Sequence, residues 1–109
     1  MQNSDTPFGV TDWDKVEPVE YAGVTGKAIW RTKQFGTVRV RKVDYSPGYF
    51  ADHWCQKGHI VLVLEGEFVS ELADGRKFTL RKGDSYQVAD GAEPHRSSTA
   101  TGVSLFIVD

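Results

Sequence analysis

The segment His59-Ile60-Val61-Leu62-Val63-Leu64-Glu65-Gly66-Glu67, followed by Phe68-Val69-Ser70-Glu71-Leu72, decides how the rest of the chain is read. His59 to Glu65 is a strand that is apolar on both faces: His59, Val61 and Val63 share one side and Ile60, Leu62 and Leu64 the other. Gly66-Glu67 starts the return through Phe68 to Leu72. Downstream, Asp74-Gly75 is a strong hairpin signal, and Lys77 to Leu80 forms the next strand. The turn Lys82-Gly83-Asp84 leads to Ser85–Val88, and the loop Asp90–Pro94 leads to His95–Thr99 and Val103–Val108. Upstream, Thr37–Arg41 alternates cleanly. Val43 and Tyr45 carry the apolar face in the opposite phase, which predicts a bulge near Lys42. Ser46-Pro47-Gly48 is a turn, Phe50 to Gln56 is strand-like up to the Lys57-Gly58 break, and Ala28–Thr32 is a short strand. The sum is about eight or nine short strands and no long helix, an all-β sandwich, barrel or jelly roll.

Residues 1 to 27 show no sustained period and read as an irregular N-terminal arm. A short helical turn is expected near Thr11–Val16, capped by Thr11 or Asp12, with Trp13 and Tyr21 as apolar anchors. The barrel proper is then 28–109, within a single domain of 109 residues. With 13 basic and 15 acidic residues the net charge is -2, which argues against nucleic acid and anionic membrane as partners. The apolar run Ile60–Leu64 is far short of the ~18 residues of a membrane span. The polar start Met1–Asp5 does not read as a signal peptide, and one cysteine rules out an intrachain disulfide. A cytoplasmic location is the resulting expectation.

All three histidines and the lone cysteine fall between positions 53 and 95, at or near the starts of short strands. On a strand, His53 and Cys55 would share a face. Imidazole nitrogen and thiolate sulfur are both good ligands for zinc, iron, nickel or copper. The alternative is a metal-free barrel interior in which the same side chains form a hydrogen-bonded cluster able to bind a small anion.

The stretch Gly48 to Gly66 reads G-x4-H-x-C-x3-H-x6-G, and Gly83-Asp84 is followed by Gly91 and Pro94-His95. Together with Val63-Leu64-Glu65-Gly66-Glu67 and Lys82-Gly83-Asp84, these resemble the two motifs and turn signatures of the cupin superfamily, over roughly residues 37 to 109. Asp52-His53-Trp54-Cys55 also resembles the signature of a subgroup of small cupins named for a D-H-C-W motif. The resemblance implies a small jelly-roll barrel and a metal held by His53, Cys55, His59 and His95. Cys55 stands where the second histidine of the first motif is usual, and His59 where its glutamate is usual. A thiolate then replaces a carboxylate as the single anionic ligand, which shifts the expected metal from manganese towards zinc, iron, nickel or copper. The second motif is looser: Ala89 stands in place of the usual proline, and three residues separate Gly91 from His95.

Tyr86, Val88, Ser97, Thr99 and Val61 are the further cavity-lining candidates. Arg39 and Arg41 are solvated if Val38 and Val40 face inward. In the reversed phase, one of them can meet a substrate carboxylate bidentately. Asp52 and Trp54 are expected to point away from the site, and Glu65 and Glu67 to lie on the surface. The apolar second face of the His59–Leu64 strand needs cover, and cupins are often homodimers, so a homodimer is expected. The functions in view are a metal-dependent enzyme of oxygenase or isomerase type on a small polar substrate, and a non-catalytic small-molecule binding or sensing cupin. Behind them stands a redox role for a reactive Cys55.

Overall fold

The segment that opens the sequence reading is one bent strand, and the architecture follows from its bend. In the computed structural model, which describes residues 6–109, the strands in chain order are β1 (Val19–Ala22), β2 (Lys27–Phe35), β3 (Val38–Tyr45), β4 (His59–Leu72), β5 (Lys77–Arg81), β6 (Ser85–Val88), β7 (His95–Ser98) and β8 (Val103–Val108). β4 runs unbroken for 14 residues. Its register against β8 slips between Val63 and Glu65, so Leu64 is an extra residue, a bulge that bends the strand. Gly66 follows at φ 81°, where an added Cβ would also overlap the Gly102 carbonyl oxygen, so glycine is required at the bend.

The bend lets β4 serve two sheets. Its first half pairs with β8 and β6, completing the antiparallel order β1-β2-β3-β8-β4-β6. Its second half lies between β5 and β7. Isolated bridges extend the second sheet beyond β7, from Ser98 to Phe50, from Phe50 to Thr25 and from His95 to Cys55. Between the sheets the inward residues Val43, Val61, Val63, Phe68, Leu80, Val103, Leu105 and Ile107 form the core, with Phe68, Leu105 and the three valines Val43, Val61 and Val63 almost wholly buried. Burying one such side chain stabilises the fold by roughly 1.5–3 kcal/mol. A second cluster, Ala28, Tyr49 and Ala51, closes one end.

Three details differ from the sequence expectation. β3 has no bulge at Lys42: it pairs without a break to β2 and β8, so Arg39, Arg41, Val43 and Tyr45 share a face. The predicted strand Phe50–Gln56 is reduced to isolated bridges at Phe50 and Cys55. Ala51 N–H donates to Ser97 O and Cys55 N–H to His95 O, so four residues advance on one side against two on the other. The surplus is thrown outward at Asp52-His53-Trp54. The arm is not wholly irregular, because β1 adds an edge strand to β2. The turn Trp13–Lys15 is a 3-10 turn capped by Asp12, and Trp13 packs edge-on to Phe106 at 6.0 Å. The polar segment Met1–Asp5 lies outside the described residues. No helix among the described residues is long and apolar enough to cross a membrane.

Candidate metal centre

The same pairings that build the second sheet set two of the site residues side by side. Cys55 and His95 exchange backbone hydrogen bonds of 2.7 and 3.0 Å, which places thiol and imidazole on one patch. His95 starts β7 opposite Leu72 of β4. His59 starts β4 opposite Val88 of β6. The inward curl of the two sheets brings the two histidines together, with Nε2 to Nε2 at 2.9 Å and rings nearly perpendicular. Cys55 Sγ and one nitrogen of each ring all lie within 4.8 Å of one another, and both histidines are buried.

The electrostatics follow from these contacts. A hydrogen bond from His95 holds the Cys55 thiol below its usual range against the opposing effect of burial, and the same contact raises His95. Burial, then the charges of His95 and Arg41, push His59 down to about 4 despite Asp109, so its ring is neutral at pH 7. Tyr86 O–H lies 3.1 Å from His59 Nε2. Burial pushes its pKa upward, so it stays a neutral hydroxyl.

The proton inventory fits a cation. His95 Nδ1 faces the carbonyl of Glu93 at 2.8 Å, an acceptor only, so that nitrogen carries hydrogen and Nε2 is the atom turned to the cluster: protonated it donates to the Cys55 sulfur, deprotonated it offers a lone pair. His59 Nδ1 is buried without a hydrogen-bond partner and faces Asp109 Oδ2 at 3.7 Å, which favours hydrogen there too. Two Nε2 lone pairs 2.9 Å apart repel unless a proton or a metal ion lies between them, and the Cys55 sulfur stands beside them.

No protein-family model and no curated protein matches the sequence. Solved structures do match. A predicted oxalate decarboxylase from Thermotoga maritima superposes with a TM-score of 0.78 at 17% identity, covering 92% of this chain and 96% of that one. A sugar phosphate isomerase from the cupin superfamily of Silicibacter pomeroyi gives 0.75 at 19% identity, over 92% and 74% of the two chains. An RmlC-like cupin from Shewanella frigidimarina gives 0.72 at 20% identity, over 95% and 91%.

The fold is that of the cupins. Within this cupin barrel a cavity of about 240 Å³ opens beside the cluster, lined by Cys55, His59, His95, Val61, Tyr86 and Ser97 among others. His53 lines its rim but stands outside the ligand cluster, which corrects its assignment as a ligand. The outward bulge leaves its side chain 71% exposed, with Nδ1 2.7 Å from Asp52 Oδ1. Asp52 and Trp54 do not line the cavity, and Asp52 meets His53 out on the bulge, a segment without strand alternation. Thr99 lines a different groove rather than this cavity: its hydroxyl donates to Glu67 O at 2.7 Å and accepts from Gly102 N–H, fixing a turn. Val88 lines two neighbouring grooves rather than this cavity.

Sequence reasoning missed the aromatic wall of Trp30, Tyr45 and Tyr49, and it missed Asp109. Arg39 forks onto Asp109 at 2.9 and 2.8 Å, and Arg41 Nη2 donates to Oδ2 at 2.9 Å. The signal was available: carrying the phase of Val43 and Tyr45 back along β3 puts both arginines inside.

Proposed function

We propose that this cupin holds one divalent transition-metal ion on Cys55, His59 and His95 and presents it to a small polar molecule in the adjoining cavity. The observation that carries this reading is the convergence of three ligand atoms within 4.8 Å at the wall of that cavity. Three protein donors leave a position open for a ligand, as catalytic rather than structural sites do. One thiolate and two neutral imidazoles make a singly negative, rather soft donor set, which favours zinc, iron, nickel or copper over manganese or magnesium. A bound ion would supply Lewis acidity towards an oxygen of that molecule, in isomerase or oxygenase chemistry. The chain's own residues do the rest. The Glu93 carbonyl fixes the His95 tautomer, and the apolar walls Val61, Leu105 and Ile107 limit water.

A second reading, a binding or sensing cupin without catalysis, is favoured by one observation. No carboxylate among the described residues lines the cavity, so no acidic side chain stands ready as general base. We also propose that two copies pair through the outer face of β4, where Ile60 is 52% and Leu62 38% exposed. A reducing compartment such as the cytoplasm suits a free thiol in the ligand set.

Elemental analysis of untagged protein tests the metal. About one equivalent per chain is expected, lost in Cys55→Ser, His59→Ala and His95→Ala and retained in His53→Ala. A wild type without metal that takes up no zinc, iron or nickel overturns the reading. Light scattering after size exclusion tests the dimer, and a strict monomer sinks it.

A further inference from the structure

The two buried histidines of the cluster differ in what stands behind them. Their Nε2 atoms face each other at 2.9 Å. Behind His95, Nδ1 has the Glu93 carbonyl at 2.8 Å. His59 Nδ1 is buried with no hydrogen-bond partner, and Asp109 Oδ2 faces it at 3.7 Å from a side chain without solvent exposure. That carboxylate is not free to turn aside. Oδ1 accepts from Arg39 Nε at 2.9 Å, and Oδ2 accepts from Arg39 Nη2 at 2.8 Å and Arg41 Nη2 at 2.9 Å. The Asp109 N–H donates to Arg39 O at 2.8 Å, and its C=O accepts from Arg39 N–H at 2.6 Å.

The arrangement matters because a neutral imidazole carries a single hydrogen on one of two nitrogens. The free histidine side chain prefers that hydrogen on Nε2, which would leave no lone pair for the cluster. The cluster side does not reverse the preference. Tyr86 O–H, 3.1 Å from His59 Nε2, can give or accept, and His95 Nε2 does either according to its own protonation. The far side does reverse it. A lone pair on Nδ1 would face an anionic oxygen in a buried place, whereas an N–H there is attracted to it. The charge of Arg41 also reaches His59, and the same Oδ2 answers it at 2.9 Å.

We propose that Asp109 is a positioning residue of the metal centre: pinned by Arg39 and Arg41, it keeps the His59 hydrogen on Nδ1 and so turns a lone pair of Nε2 to the cluster. Asp109 is neither one of the clustered ligands nor a residue of the cavity wall, so it acts through His59. Removing such an orienting group behind a histidine ligand costs about ten- to a hundredfold in metal affinity. The assignment deepens the metal reading and rests on it for that effect on affinity. The tautomer is a property of the metal-free chain.

The test records long-range proton–nitrogen spectra of the histidine rings in nitrogen-15-labelled, metal-free protein at pH 7, with the His59 signals identified by their loss in His59→Gln. Wild type is expected to hold the His59 hydrogen on Nδ1. Asp109→Leu is expected to move it to Nε2, and so is Asp109→Leu combined with Arg41→Met, which takes the buried pair out as a unit and so spares the fold. Zinc affinity, read by competition with a chromophoric chelator, is expected to fall about ten- to a hundredfold in both. Arg39→Lys separates positioning from stability. It loosens the fork and lowers the urea midpoint, but it keeps the carboxylate, the Nδ1–H tautomer and the zinc affinity. A wild-type hydrogen on Nε2 overturns the proposal, and that measurement needs no variant to fold. An unmoved hydrogen in the double variant, or the same loss of zinc affinity in Arg39→Lys, also overturns it. If wild type binds zinc and the double variant binds it equally well, the role of Asp109 falls and the metal reading stands. If wild type binds no zinc but the His59 hydrogen moves in the variants, the metal reading falls and control of the tautomer by Asp109 stands.

Discussion

Two carboxylate–histidine pairs sit at opposite ends of the site, and the shorter contact is the weaker one. Asp52 and His53 are chain neighbours 2.7 Å apart on an outward bulge, both largely in water. Asp109 and His59 come from distant strands and stand 3.7 Å apart with almost no exposure. The hydrogen bond from His53 draws the Asp52 carboxyl below its usual range, yet water screens the pair. For Asp109, burial alone would raise the carboxyl. The Arg39 hydrogen bonds and the arginine charges overcome that and hold it ionised. Environment rather than distance thus decides which pair matters to the fold and the cavity.

The largest expected difference between the pairs is in stability. Asp109→Ala leaves Arg41 buried without its counter-charge and should lower the unfolding free energy by about 3–5 kcal/mol, read as a lower urea midpoint. Asp52→Ala should leave that midpoint where it is. Equal shifts would break the comparison.

Next comes pH. The folded His59 ring titrates at about 4, whereas an unfolded histidine titrates near 6.5. Between those values the unfolded chain binds more protons, so stability falls as pH falls through that window. In metal-free protein the loss from His59 should be on the order of 3 kcal/mol. His59→Gln should flatten the slope of stability between pH 6.5 and 4, and His53→Gln should leave it unchanged. The ionised Asp109 contributes above its unfolded pKa near 4 and loses that contribution only at lower pH.

The smallest effect sharpens the view of the buried side. Tyr86→Phe removes the hydroxyl 3.1 Å from His59 Nε2 and should destabilise the metal-free protein by about 1 kcal/mol, measured by the same denaturation. No change would mean that the rings are held by packing alone.

Much of the fold was legible because strand alternation and turn chemistry are local. Gly66 at the bend, Asp74-Gly75 at the hairpin and the β8 alternation of Val103, Leu105 and Ile107 all appear where the pattern puts them. The reading failed where a local rule met a distant partner. Placing a bulge at Lys42 kept two arginines out of the interior, a sound instinct for unpaired charge. It failed because Asp109, at the far end of the chain, supplies the missing anion. His53 was misplaced for a related reason. The two-residue surplus between the Ala51 and Cys55 pairings exists only relative to β7, so nothing in residues 50–56 announces it. Thr99 looked available until its hydroxyl was claimed by the backbone of β4 and of the turn at Gly102.

The sequence by itself determined an all-β barrel with its histidines and cysteine gathered in one stretch, because residue type and period act over a few neighbours. Only the tertiary structure decided which of those side chains meet. Cys55, His59 and His95 converge because three separate pairings, to β7, to β6 and across the bend of β4, close around them. That closure also buried Arg41 beside Asp109, and left its Nε–H without a partner.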